Sequence, residues 1–196
     1  RYGPRLEFRN AQELAYGLLG LSMYYFVSRD PGALDDILST KDFILGRLYD
    51  PQANTINWQL DSNGSERWDA QRFVAQLDQM NAYLVLLAPI LPERYRAETL
   101  NSLSVLARML IEKYYSWDDN LFALDRQTAG TRDFGHTIKA MWMIRFTGLL
   151  TGERDLVDFA ERNGVRVLYR AYDAELGAWN NEVRVDGSVG RDKSWW

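Results

Sequence analysis

Three times along this chain, a helix-length stretch that is apolar on most sides is followed by one that is apolar on a single side. A repeated pairing of a buried helix with an amphipathic one restricts the fold to helix pairs laid side by side. Residues 10–28 place Leu14, Leu18, Leu21 and Tyr25 at helical spacing, with Asn10 as N-cap. The other face (Gln12, Tyr16, Met23, Val27) carries no charge beyond Glu13, which predicts a helix buried on most sides. After the turn Arg29-Asp30-Pro31-Gly32, residues 33–48 show one apolar stripe, Leu34, Ile37, Leu38, Leu45 and Leu48, opposite Asp35, Asp36, Ser39 and Asp42. Residues 74–88 are again nearly all apolar and stop at Pro89, and residues 96–115 are again one-sided. Residues 136–150 and 155–171 form the third such pair.

The punctuation repeats as well. Each one-sided helix is followed by an aromatic residue and Asp: Tyr49-Asp50, Trp117-Asp118 and Tyr172-Asp173. The Asp residues are separated by 68 and 55 positions, and a short hairpin-like stretch follows each (residues 55–60, 121–124 and 178–185). A period of this length, built from helix–turn–helix units, predicts an all-α solenoid or a closed α/α toroid. The buried helices favour the toroid, since a single-layer solenoid would show a more polar concave face. The alternative from pattern alone is an irregular helical bundle.

Composition narrows the functional classes. With 196 residues, 46 % hydrophobic and 13 % aromatic, the chain is long enough for one domain with a substantial core. The net charge of −4, with both signs interspersed, argues against a nucleic-acid partner. The longest apolar run, residues 82–91, is broken by Pro89 and is too short to span a membrane, and no signal peptide is visible, which points to the cytoplasm. There is no Cys, so thiolate chemistry is excluded. One His without clustered carboxylates gives no basis for a metal, and no Gly-rich phosphate loop points to a cofactor. The chain begins at Arg1 and ends at Trp195-Trp196, so the expected single domain, 1–196, is read as incomplete at both ends.

His136, the one histidine, stands at the start of the third buried helix directly after Gly135, and Lys139 shares its face one turn on. A histidine there can act as general acid or base; it can equally do no more than satisfy backbone groups at a helix start. Trp58, Trp142, Trp179, Trp195 and Trp196 are candidate stacking walls for a sugar ring, with core packing the alternative for Trp142. Asp118 with Asp119, or Asp173 with Glu175, could form a hydrolase carboxylate pair, but their turn-rich settings suit solvated loop charge better.

Gly135-His136-Thr137-Ile138-Lys139-Ala140-Met141-Trp142 resembles the Gly-His-x-Ile-Glu-x-x-Trp-Leu motif of the N-acylglucosamine and cellobiose 2-epimerases. Gln12, Tyr25 and Arg29-Asp30 resemble an earlier helix of that family, and Asp186-Gly187 with Lys193-Ser194-Trp195-Trp196 resembles its Asp-Gly … Lys-x-Trp-Trp segment. The resemblance implies an (α/α)6-type barrel of which this chain supplies about three helix pairs from the middle. It implies a sugar isomerase or 2-epimerase that removes and returns a proton beside the carbonyl, without a cofactor, with His136 as one of the family's two catalytic histidines. Lys139, Trp195, Trp196 and Asn81 become candidate substrate contacts. Asn81 lies in Leu77-Asp78-Gln79-Met80-Asn81-Ala82-Tyr83-Leu84, which echoes the family's Asn-x-Met-His-Leu-Leu-Glu-Ala without its His.

Lys139 stands where the family has Glu, and a neighbouring ammonium disfavours an imidazolium, so His136 is expected to work as a neutral base. One base suffices for an aldose–ketose isomerase, whereas a 2-epimerase needs a second group on the opposite face. The competing readings are a catalytically silent carbohydrate-binding relative and another α/α-toroid glycoside hydrolase or lyase. In each the partner is a small sugar. Three helix pairs would leave apolar flanks, to be covered by further chain or by a homo-oligomer.

Overall fold

Asn10 opens the first helix as its sequence predicts. Its side chain accepts a hydrogen bond from Glu13 N at 2.8 Å, satisfying a helix-start donor at a gain of about 1 kcal/mol. The helix α1 (Ala11–Ser28) ends where Arg29 turns left-handed and its N–H bonds back to Tyr25 O. Asp30 then caps α2 (Pro31–Phe43), accepting from Gly32 N at 2.8 Å, with Pro31 at a first-turn position where its missing N–H costs nothing. The computed structural model describes residues 10–60, 72–124, 132–184 and 186–193. Two compact units arise, Arg1–Leu106 and Ala107–Trp196, dividing inside the helix α5 (Glu93–Tyr114).

In the first unit α2 widens into a π turn at Ile44–Leu48 before the two-residue strands β1 (Tyr49–Asp50) and β2 (Thr55–Ile56). Ser62-Asn63-Gly64, a turn-type run that follows residues 55–60 in the sequence, lies outside the described residues. The next apolar stretch forms α3 (Phe73–Gln79), a second π turn at Met80–Leu84, and a last helical turn, α4 (Val85–Leu87). This segment is the centre of the unit: Phe73, Leu77, Met80, Tyr83 and Leu84 are wholly buried, together with Leu18 of α1 and Ile37 of α2.

The second unit contains β3 (Tyr115–Ser116), β4 (Leu121–Phe122), β5 (Arg132–Asp133), α6 (Phe134–Thr151), α7 (Arg154–Ala171), β6 (Tyr172–Asp173), β7 (Ala178–Trp179) and β8 (Glu182–Val183). The α6–α7 turn needs a left-handed residue, supplied by Gly152 at φ 80°. α7 buries Leu156, Val157, Ala160, Gly164, Val167 and Ala171 at helical spacing, each large aliphatic worth roughly 1.5–3 kcal/mol of transfer free energy. Leu121, Phe134, Val167, Ala171 and Val183 form one cluster beneath the start of α6.

Three hairpins share one register. Tyr49 pairs with Ile56, Tyr115 with Phe122 and Tyr172 with Trp179, each across the same spacing. Five residues after each Tyr comes a left-handed residue: Asn54 (φ 51°), Asn120 (φ 59°) and Gly177 (φ 61°). In the first two hairpins the Tyr hydroxyl donates to that Asn Oδ1. The repeated mark in the second hairpin is therefore Tyr115-Ser116, not Trp117-Asp118. Ser116 takes the turn N–H of Asp119, as Asp50 and Asp173 take the turn N–H groups of theirs.

Two expectations of helices buried on most sides also need correction. α1 buries one face, while Tyr16, Met23 and Val27 are exposed. On α6, Trp142 and Leu149 are exposed. A helix apolar on both sides needs a neighbour on each, and no described residue covers these second faces.

Candidate functional site

The start of α6 is held from two directions. β5 pairs antiparallel with β8, Arg132 opposite Val183 and Asp133 opposite Glu182, and Phe134 N donates to Asn181 O at 2.9 Å. A hairpin returning through Gly187 (φ 82°) braces β8 from its far side, with Arg184 N donating to Ser188 O and Gly190 N to Glu182 O. Thr137 fastens the first turn of α6 from within. Its hydroxyl donates to Asp133 O at 2.9 Å and accepts from Phe122 N at 3.2 Å.

Asp133 is the N-cap, and its carboxylate makes two contacts to one residue. Oδ1 accepts the main-chain N–H of His136, and Oδ2 is hydrogen-bonded to the imidazole Nδ1. The carboxylate beside His136 thus comes from three residues before it, whereas the position three residues after it holds Lys139. The signal was present: an Asp in N-cap spacing to a third-position histidine. The His136 side chain keeps 20 % of its surface exposed.

A groove of about 430 Å³ runs along the same end of α6, lined by Gly135, Lys139 and Trp142 with Trp179, Asn180 and Asn181 across from them. Trp142 and Trp179 are each 55 % exposed. Trp179 is braced by the Tyr172 ring, centroids 5.3 Å apart, and Asn180 Oδ1 accepts from Lys193 Nζ. His136 and Lys139 share the first two turns of one helix, but of the two only Lys139 lines the groove. Asn81 sits half-buried in the π turn of the first unit. Trp195 and Trp196 lie outside the described residues. Trp58 has its ring under the Arg72 guanidinium, 4.6 Å from the centroid.

The carboxylate pairs serve the loops. Asp173 accepts from Glu175 N and Leu176 N and pairs with Arg191 and Lys193, while Glu175 pairs with Arg191. Asp119 pairs with Arg132. Among the described residues no group of three His, Asp or Glu could hold a metal ion, and no helix is long and apolar enough to cross a membrane.

No family model and no curated protein matches this sequence. Solved structures do. The cellobiose 2-epimerase from Spirochaeta thermophila DSM 6192 is similar at a TM-score of 0.80 and 21 % identity, over 95 % of this chain and 50 % of that one. The cellobiose 2-epimerase from Bacillus thermoamylovorans B4167 gives 0.77 and 16 %, over 93 % and 50 %, and a D-mannose isomerase gives 0.72 and 12 %, over 93 % and 48 %. The chain spans about half the length of these proteins. The fold is accordingly all-α, of the α/α-toroid type, with helix pairs joined by short β-hairpins.

Proposed function

We propose that this chain is part of a carbohydrate-processing α/α toroid that isomerises an aldose by moving a proton beside the carbonyl, with His136 as the base. The observation that carries the reading is the lone histidine on the first turn of α6, bonded to a carboxylate, on a helix whose Gly135, Lys139 and Trp142 line a groove with a second exposed Trp and amide side chains, although His136 itself is not among the lining residues. Aromatic faces suit the apolar face of a pyranose, and amides suit its hydroxyls. The fold shared with two epimerases and a mannose isomerase is consistent with a sugar substrate.

In this reaction the imidazole takes the proton from C2 while the C1 carbonyl oxygen gains one, giving an enediol. The imidazolium then returns its proton to C1 as the C2 hydroxyl loses its own, and the product is the ketose. One base on one face suffices, which favours isomerisation over epimerisation. Lys139 is assigned to the sugar oxygens beside the groove. Asn81, Trp195 and Trp196 are assigned to substrate on the motif resemblance alone.

The test is deuterium incorporation at C2 of mannose, N-acetylmannosamine and cellobiose, with the intact protein in deuterated water. Exchange with at least one sugar is expected, falling about a hundredfold or more in His136→Ala. No exchange with any of the three, or undiminished exchange in the variant, would overturn the assignment.

A further inference from the structure

We infer that Asp133 is a positioning residue that locks His136 in its Nδ1–H tautomer, making Nε2 the nitrogen that exchanges protons with substrate. The second half of this inference rests on the reading of His136 as the base; the tautomer lock does not.

An ionised Asp only accepts hydrogen bonds, so the ring nitrogen beside Asp133 Oδ2 must carry a hydrogen. A neutral imidazole has one N–H, and placing it on Nδ1 leaves the lone pair on Nε2. An unconstrained histidine side chain in water prefers the opposite tautomer, so the local structure has to impose this one.

Asp133 is built to impose it. Only 8 % of the residue is exposed. Its backbone sits in the ladder opposite Glu182, and its carbonyl takes the Thr137 hydroxyl. The carboxylate is further oriented by the His136 N–H on Oδ1. An aspartate free to rotate would exert no tautomer preference; this one is fixed by the helix start it caps. One side chain therefore starts the helix and orients the ring.

Because His136 is the chain's one histidine, the imidazole nitrogens give a single spin system in a ¹⁵N–¹H spectrum. At mildly alkaline pH the wild-type protein should show the Nδ1–H tautomer. Asp133→Asn keeps an oxygen for the cap but offers the ring an N–H, and should move the ring to Nε2–H. Asp133→Ser still caps but is too short to reach the ring, and should do the same. Both should retain the fold by circular dichroism, while C2 exchange falls about a hundredfold.

An Nε2–H ring in the wild type overturns the proposal without any variant, so misfolded variants would not protect it. An Nδ1–H ring persisting in both folded variants overturns it too. If the tautomer moves as expected but wild-type protein exchanges no sugar proton, the lock stands and the base assignment falls. If exchange occurs and survives in both variants, the base assignment stands and the positioning role falls.

Discussion

The side-chain amide of Gln76 closes on the backbone of Ile56 twice, Nε2 donating to the carbonyl at 2.6 Å and Oε1 accepting the N–H at 2.7 Å. Ile56 and Gln76 are both fully buried, so the amide extends the hairpin ladder by one false strand residue. The second unit repeats the device with Thr137, whose hydroxyl takes the N–H of Phe122 at the same hairpin position. Gln76→Leu should destabilise the protein by about 2–4 kcal/mol, since it strands a buried donor and a buried acceptor together. Chemical denaturation measures this; a loss below ~0.5 kcal/mol would mean that the Ile56 backbone finds other partners.

Gly148 marks the tight crossing of α6 and α7. A Cβ there would lie 2.8 Å from Glu153 O, 2.9 Å from Val157 Cγ2 and 3.0 Å from Leu156 Cβ. In a free helix Gly→Ala gains about 1 kcal/mol. Here the sign should reverse, because one contact is backbone and another a Cβ, neither of which can swing aside. Gly148→Ala should lower Tm and Gly148→Val should lower it further, and thermal unfolding of both decides the matter.

Arg108 pairs with Glu153 and, at 3.0 Å, with Asp155. The hydrogen bond from Arg108 holds the Asp155 carboxyl below its usual value of 3.8. A carboxylate whose folded value is lowered adds stability above its unfolded pKa and loses it as pH falls through the folded one. Arg108→Ala should therefore cost well under about 1 kcal/mol at neutral pH, Asp155 being mostly exposed. The difference should shrink as pH drops below about 4 and as salt is added. Paired urea titrations over pH 2–7 test it, and a pH-independent difference would assign the effect to lost packing.

The helix starts were legible because each is decided within a few residues. Asn10 caps the helix its spacing predicts, while Asp30, read from the sequence as part of a turn, and Asp133 are N-caps that the structure adds. The hairpin register is not legible at Trp117-Asp118, because an aromatic–Asp pair there satisfies the pattern two residues after the paired Tyr115. The true mark needs a left-handed residue five positions on, and Asn120 supplies it after Tyr115.

By itself the sequence determined the alternation of helix types, the Asn10 cap, the all-α class and the placing of its one histidine on the first turn of α6. These depend on interactions between residues one to four positions apart, which composition and spacing encode directly. Only the tertiary structure decided that β5 pairs with β8, that Gln12 Nε2 meets the buried Asp78 carboxylate at 2.7 Å, and that Trp179 and Asn180 face α6 across a groove. Those contacts join residues tens of positions apart, and they form only once chain closure is offset by burial that many side chains share. The same division runs through His136: its position follows from local sequence, while the rigidity of its aspartate comes from a ladder formed with a distant strand.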